Sequence, residues 1–154
     1  MTKITSHFPG LKVLLVEDYF INQEVTIEML EMLECQTELA EDGLQGVQMA
    51  SDTNFDLIIM DLQTPGIDGL EATKRIRQLP NGSSKSIIIA LTASALTGDR
   101  EKCISAGMDD YISKPFDMSA FQQLLSQFDR LRQSSRSSEP AVNSAERLTV
   151  VSVN

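Results

Sequence analysis

The feature that most constrains the fold is a pair of apolar runs in which polar and apolar residues do not alternate. They are Leu57-Ile58-Ile59-Met60 and Ile87-Ile88-Ile89-Ala90-Leu91. Continuous runs of this kind are typical of strands that are covered by helices on both faces, as in parallel sheets. We therefore predict that these two segments are the central strands of a parallel sheet.

Helical patterns separate these runs from shorter strand-like segments, so strands and helices alternate along the chain. This alternation indicates βαβ units and a doubly wound α/β domain. We predict strands near residues 12–16, 36–40, 56–60, 86–91 and 109–113, and helices near 21–33, 43–51, 69–79, 98–106 and 117–131.

The length of the chain predicts a single domain with tails. Its 154 residues, 42% of them hydrophobic, are enough to bury one sizeable core but not two. We expect an N-terminal extension over residues 1–10 and one domain over 11–131. Residues 132–154, rich in Ser, Arg and Glu, are expected to form a flexible polar tail.

Charge and hydropathy exclude several classes of partner. The formal net charge of −9 disfavours nucleic acid and anionic membranes, because both require basic patches. No apolar stretch approaches the roughly 20 residues of a membrane span, and no signal sequence is recognisable at the N-terminus. We expect a cytoplasmic protein without membrane insertion. Cys35 and Cys103 lack metal-like spacing and are expected to be reduced packing residues.

Residues with metal- and phosphate-binding chemistry lie at the ends of four predicted strands. Glu17 and Asp18 follow the first strand, Asp61 the third, Thr92 the fourth and Lys114 the fifth. Open α/β sheets form their ligand sites at the carboxyl ends of the strands. The pattern therefore predicts a single site that can hold a divalent cation, a phosphoryl group and its acceptor.

Each of these residue types has a role in phosphoryl chemistry. A carboxylate such as Asp61 can attack phosphorus to form an aspartyl phosphate. Magnesium prefers a few carboxylates together with phosphate oxygens and water. Lys114 can neutralise one phosphoryl oxygen and the Thr92 hydroxyl can bind another, while a cis bond before Pro115 could fix the loop that aims the ammonium.

Electrostatic repulsion distinguishes such a site from a structural feature. Two carboxylates about 5 Å apart repel by roughly 3 kcal/mol at an effective dielectric constant near 20. Without a cation the cluster should destabilise the fold, so bound magnesium should raise the melting temperature.

Five short motifs occur in order along the chain. They are Val13 to Asp18, Ile58 to Asp61, Pro65 with Asp68-Gly69, Ala90 to Ala93, and Gly107 to Pro115. Together they resemble the receiver domains of two-component signalling, of the type found in hybrid histidine kinases and phosphorelay response regulators. The resemblance covers roughly residues 11 to 130.

The resemblance implies a flavodoxin-like five-stranded parallel sheet of order 2-1-3-4-5 with five helices. It implies that Asp61 is the phosphorylated residue, that Asp18 binds magnesium directly and that Glu17 binds it through water. The remaining implied roles are a metal ligand at the backbone carbonyl of Gln63, phosphoryl-oxygen binding by Thr92 and Lys114, and an aromatic switch at Tyr111.

The chain departs from the family pattern at several positions. Tyr19 stands where hybrid-kinase receivers usually have Asn, and Gln63 and Thr64 replace the common Met pair after the acceptor. Glu34 occupies a position that is often Gly. The resemblance places Gln63 and Ser94 beside the path of attacking water, so both should set the lifetime of the phosphate.

The function expected from the resemblance is Mg²⁺-dependent transfer of a phosphoryl group from a phosphohistidine donor onto Asp61, with Mn²⁺ able to substitute. The donor is a histidine kinase or a histidine phosphotransfer protein, and an effector protein reads the result. The domain is not an enzyme beyond its own phosphorylation and dephosphorylation. A homodimer through the fourth helix, fifth strand and fifth helix is compatible with the sequence, as are a stand-alone regulator and a piece of a hybrid kinase.

Other classes fit the sequence less well. A flavodoxin-like enzyme that binds a nucleotide or flavin requires a Ser/Thr/Gly-rich loop after the first strand, where this chain has Glu17-Asp18-Tyr19-Phe20. A haloacid-dehalogenase-like phosphatase requires a second Asp at the position of Gln63. A receiver that signals by docking without being phosphorylated stays open. His7 lies outside the domain and is not expected to be a phosphodonor.

Overall fold

The computed structural model describes residues 7–92, 99–114 and 117–137, with the backbone alone at residues 99 and 128–137. All five predicted strands and all five predicted helices are present, most of them within a residue or two of the predicted ends. The strands are β1 (Lys12–Val16), β2 (Gln36–Ala40), β3 (Leu57–Asp61), β4 (Ile87–Thr92) and β5 (Asp110–Ser113). The helices are α1 (Phe20–Met32), α2 (Gly43–Asp52), α3 (Gly69–Arg77), α4 (Asp99–Ala106) and α5 (Met118–Ser137). A 3-10 helix at Gly82–Lys85 was not predicted.

The strands form one parallel sheet of order β2-β1-β3-β4-β5, which confirms the predicted topology. The register pairs Val16 of β1 with Met60 of β3, and Asp61 of β3 with Leu91 of β4. The residues that follow these positions therefore emerge at the same edge of the sheet. The topology brings the predicted site residues to that edge.

Helices cover both faces of the sheet, as the continuous apolar runs predicted. Successive strand residues point to opposite faces. Accordingly Val13 and Leu15 belong to one core cluster, with Phe121 of α5, while Leu14 and Val16 belong to the other. Every side chain from Leu57 to Met60 is at most 2% exposed. The two central strands thus supply both halves of the core.

The turn after α1 has an unusual backbone. Glu34 has a φ of 67° and is the one non-glycine residue with positive φ within the described ranges. This left-handed conformation favours glycine, because a side chain there costs free energy. A glycine at this position would adopt the same backbone without that cost.

Two features near the ends of the domain were not predicted. The fifth helix continues to Ser137, beyond its predicted end near residue 131. The apolar periodicity stops at Leu131, but no helix breaker follows before Pro140, so the helix can continue on propensity alone. Residues 138–154 lie outside the described part. At the other end, Phe8 of the predicted extension is only 3% exposed and packs into the core.

Two further predictions concern the packing of the cysteines and the absence of membrane spans. Cys35 and Cys103 are 9% and 1% exposed, as predicted for packing residues. Within residues 7–92, 99–114 and 117–137, none of the helices combines the length and the hydropathy that crossing a bilayer requires.

Arg77 links several segments at the amino-terminal ends of the strands, on the side of the sheet opposite the site. The Arg77 guanidinium donates to the carbonyl oxygens of Gly107, Ser84 and Ser86 at 2.8, 2.9 and 2.6 Å. It also pairs with Asp109 Oδ2 at 3.0 Å, and that oxygen accepts the Ile88 N–H. Arg77 therefore holds the beginnings of β4 and β5, the strands that carry Thr92 and Lys114, against α3.

We predict that Arg77→Met lowers the free energy of unfolding by about 3 kcal/mol, because it leaves several partly buried carbonyls and a carboxylate without their donor. Arg75→Met is the matched control, since Arg75 lies two residues away and pairs with the exposed Glu71. Its loss should cost at most ~0.5 kcal/mol. Urea denaturation followed by circular dichroism measures both, and equal losses would contradict the prediction.

Candidate functional site

Three carboxylates meet at the carboxyl edge of the sheet. Glu17 and Asp18 follow β1, and Asp61 is the last residue of neighbouring β3. One carboxylate oxygen from each lies within 4.8 Å of the others. Glu17 is 0% and Asp61 6% exposed, whereas Asp18 is open to solvent. The sequence predicted this juxtaposition, and the pairing of β1 with β3 produces it.

An ammonium faces two of these carboxylates. Lys114, directly after β5, places Nζ 3.3 Å from Glu17 Oε1 and 3.5 Å from Asp61 Oδ2. Its backbone N–H donates to the carbonyl oxygen of Thr92 at 2.7 Å. Thr92 ends β4 and is 6% exposed, one residue beyond the partner of Asp61 in the register. The four strand ends therefore converge, as the sequence predicted.

Burial and repulsion together raise the pKa of the Glu17 carboxyl above its ordinary value of 4.5. Desolvation is the largest cause, followed by the hydrogen bond and the negative charge of Asp61. The Lys114 charge and the Tyr19 N–H, which donates to Glu17 Oε2 at 3.2 Å, act in the opposite direction. The lysine therefore only partly offsets the cost of gathering the acids.

The donor set fits a hard divalent cation. Three carboxylate oxygens within reach of one another, one of them from an exposed side chain, match the few carboxylates and several waters that magnesium prefers. Burial first, and then the hydrogen bond with Asp61 and its negative charge, raise the pKa of Glu17, so its ionised form is disfavoured without a cation. A cation here would relieve that repulsion.

The turn after Asp61 is built by backbone and small-residue contacts. The Gln63 N–H donates to Asp61 Oδ1 at 3.1 Å, and Thr64 Oγ1 donates to the Ile67 carbonyl at 2.8 Å. A Cβ on Gly69 would lie 2.5 Å from the Asp61 carbonyl oxygen, so only glycine lets α3 start this close to β3. Whether the Gln63 carbonyl binds a metal stays a prediction.

Two residues of the site were not found by reading the sequence. Gln23 of α1 is 9% exposed and donates its side-chain amide to the Glu17 carbonyl at 2.8 Å. The only signal was a polar residue on the side of α1 that should be buried. The Arg100 guanidinium of α4 lies 5.7 Å from the centroid of the Tyr111 ring and 3.4 Å from Asp110 Oδ1. Tyr111 itself is half-buried.

Two predicted residues cannot be placed. Ser94, expected beside the path of attacking water, and Pro115, expected to fix the loop after Lys114, both lie outside the described residues.

With the topology and the acid cluster established, comparison with known proteins decides the family. Residues 13–126 match the family model of the response regulator receiver domain. The chain belongs to this receiver family. It is a phosphoacceptor module of the kind found in hybrid histidine kinases and response regulators.

A curated relative shows the setting in which such a domain occurs. The receiver domain is 41% identical over 128 residues to hybrid signal transduction histidine kinase G of Dictyostelium discoideum. The match covers 82% of this chain and 4% of that kinase, so this chain spans only a small part of the relative's length.

Two solved structures resemble the receiver domain closely. The receiver domain of sensor histidine kinase PA1611 from Pseudomonas aeruginosa PAO1, with a magnesium ion coordinated in its active site cleft, is 45% identical at a TM-score of 0.72. The match covers 77% of this chain and 97% of that one. The second comes from the co-crystal structure of the Saccharomyces cerevisiae phosphotransfer protein Ypd1 and the receiver domain of Ssk1. It is 32% identical at a TM-score of 0.72, and the match covers 81% of this chain and 92% of that one.

We predict that Glu17→Gln stabilises the metal-free receiver domain at pH 7 by ~1 kcal/mol or more, because it removes a carboxylate charge that is buried and that Asp61 repels. A carboxyl whose pKa is raised on folding contributes its full stability below pH 4.5 and loses it as the pH rises through the folded pKa. The advantage of the variant should therefore disappear toward pH 4.5. Urea denaturation in EDTA at several pH values measures it.

Magnesium should reverse this difference. It should raise the melting temperature of the wild type more at pH 8 than at pH 5. At either pH it should raise the melting temperature of the Glu17→Gln variant less than that of the wild type. A stabilisation by magnesium that is equal in both proteins would contradict the assignment of the repulsion to Glu17.

Proposed function

We propose that Asp61 accepts a phosphoryl group from a phosphohistidine on another protein or domain. The observation that supports this most directly is the position of Asp61 at the carboxyl end of β3, beside two further carboxylates and an ammonium that contacts both Asp61 and Glu17. This places an anionic nucleophile, a cation for the transferred oxygens and a metal-binding donor set around one atom.

The residues divide the chemistry among them. An Asp61 oxygen attacks phosphorus, the P–N bond to the donor imidazole breaks, and its electron pair stays on the imidazole nitrogen, which takes up a proton. Lys114 moves from the two carboxylates to a transferred oxygen, and the Thr92 hydroxyl binds another. Positioning and neutralisation of this kind account for most catalysis of phosphoryl transfer.

The carboxylate cluster is the metal site of this reaction. Asp18 and Asp61 would bind Mg²⁺ directly, Glu17 through water, and the Gln63 carbonyl would complete the set, with Mn²⁺ able to substitute. When bound, the ion neutralises charge on the transferred oxygens. The donor set of this chain and the magnesium ion in the PA1611 receiver support the assignment.

The lifetime of the phosphate depends on access of water to Asp61. The side chain of Gln63 is exposed two residues beyond the acceptor, where it can contact or obstruct an attacking water. We assign the same influence to Ser94, on the evidence of the family pattern alone.

We propose that Thr92 and Tyr111 transmit the change. Binding of a phosphoryl oxygen draws the Thr92 hydroxyl toward Asp61, and the ring of Tyr111, on the adjacent strand, moves inward. The surface formed by α4, β5 and α5 then presents a different face to an effector or to a second copy of the domain. The half-buried ring of Tyr111, whose centroid lies 5.7 Å from the exposed Arg100 guanidinium, supports this, because the ring packs against the core without being fully buried.

The donor is proposed to dock on the start of α1. Four apolar side chains there, next to the turn that contains Glu17 and Asp18, are 47–64% exposed: Tyr19, Phe20, Ile21 and Val25. The N-terminal half of the domain is strongly acidic, since residues 7–56 contain eleven Asp and Glu but a single Lys or Arg, Lys12. A histidine phosphotransfer protein or kinase domain with an apolar face flanked by basic residues would complement it. The Ypd1–Ssk1 complex supports this class of partner.

We predict that Asp61→Asn abolishes labelling of the chain by a small phosphodonor such as acetyl phosphate in the presence of Mg²⁺, because the amide is not nucleophilic. The wild type should gain one acid-stable, alkali-labile acyl phosphate per chain, measured by intact-protein mass spectrometry. Asp68→Asn is the matched control, since Asn caps α3 as well as Asp does and should leave labelling unchanged. Labelling of Asp61→Asn to the wild-type level would overturn the assignment.

We predict that Phe20→Ser slows transfer from a protein donor at least ~10-fold, the loss of one apolar anchor, and leaves labelling by acetyl phosphate unchanged. The donor would be whichever histidine phosphotransfer protein of the same cell phosphorylates the wild type in a profiling experiment. Met32→Ser removes a similarly exposed side chain at the far end of α1 and serves as the control. If both variants are slowed equally, the docking site is not the start of α1.

A further inference from the structure

We infer that Gln23 is a positioning residue for the metal site: its buried amide fixes the peptide that carries Asp18 and so determines how tightly the domain binds Mg²⁺. The inference rests on the proposed metal site. It adds a residue of α1 that contacts neither the acceptor nor the ammonium in any hydrogen bond or ion pair of the described residues.

The reach of Gln23 follows from its place in the helix. Its backbone N–H donates to the Tyr19 carbonyl at 3.0 Å, so it closes the first turn of α1. Side chains in a helix lean toward the N-terminus, and from this position they point back over the turn that precedes the helix. The amide Nε2 accordingly reaches the Glu17 carbonyl oxygen at 2.8 Å, in a buried setting.

The carbonyl that Gln23 binds is the one that orients Asp18. Glu17 lies one residue beyond Val16, the last residue of β1 in both registers. Its N–H is held by the Ala40 carbonyl at 3.0 Å, while its own carbonyl begins the Glu17–Asp18 peptide. Because that peptide is planar, fixing the carbonyl also fixes the direction of the Asp18 N–H and the starting point of its side chain.

Orientation matters here because Asp18 is the exposed member of the cluster. Glu17 and Asp61 are held by burial and by Lys114, whereas Asp18 is open to solvent. Its carboxylate therefore depends on its backbone to stay near the other two. Partners that orient metal ligands in this way typically change metal affinity by about 10- to 100-fold.

Gln23 influences the site without changing its charge. A neutral amide can be replaced by an apolar side chain of similar length while all three carboxylates and the ammonium are kept. Gln23→Met should therefore raise the dissociation constant for Mg²⁺ about tenfold through geometry alone. Half-maximal labelling by acetyl phosphate should shift to higher Mg²⁺, while the rate at saturating Mg²⁺ stays near that of the wild type.

The test is isothermal titration calorimetry of the full, unphosphorylated chain with MgCl₂, which measures the dissociation constant for Mg²⁺. The melting temperature is measured with and without the ion. Gln23→Ala, which favours the helix, is measured in parallel in case the Met variant does not fold. Thr26→Val is the matched control: Thr26 is buried at 3% exposure one turn further along α1 and should leave the Mg²⁺ affinity unchanged.

A tenfold weakening in either Gln23 variant, with unchanged affinity in Thr26→Val, is the expected result. The inference fails if the Gln23 variants only lower the melting temperature and bind Mg²⁺ as tightly as the wild type, or if Thr26→Val weakens binding equally. Because the titration needs no phosphoryl transfer, its outcome is independent of whether Asp61 is the acceptor, which the Asp61→Asn labelling experiment tests separately.

Discussion

The whole arrangement depends on the mutual repulsion of three carboxylates that the fold holds within 4.8 Å. At this separation a pair of charges repels by roughly 3 kcal/mol at an effective dielectric constant near 20. Lys114 forms ion pairs with Glu17 and Asp61, yet the pKa of Glu17 stays raised. Burial and the negative charge of Asp61 thus leave a cost at Glu17 that we propose a bound cation relieves. Binding and folding are therefore linked through the same charges.

The rest of the domain acts as the frame that withstands this repulsion. At one edge of the sheet Arg77 joins α3 to the beginnings of β4 and β5, and at the other edge β4 ends in Thr92 and β5 leads directly into Lys114. On the opposite side of the site, Gln23 ties α1 to the turn that carries Asp18. The residues proposed to bind the phosphoryl oxygens and the metal are thus carried by segments that Arg77 and Gln23 help to hold in place.

Much of this could be predicted from residue order. The alternation of apolar runs and helical patterns predicted the sheet and its helices, and the polar residues after four strands predicted the site. The predicted C-terminal end of α5 was wrong. Apolar periodicity indicates which residues pack, whereas a helix can continue beyond its packed residues until a helix breaker such as Pro140. The burial of Phe8 was not predicted, because a single aromatic residue does not form a periodic apolar pattern.

The sequence by itself determined which chemical groups are present and, through strand polarity, at which edge of the sheet they emerge. Only the tertiary structure decided that Lys114 lies between Glu17 and Asp61, that Gly69 lies against the Asp61 carbonyl and that Gln23 reaches Glu17. The reason is physical. Periodicity records the average environment of a face, whereas a contact of about 3 Å depends on how two elements are placed in three dimensions.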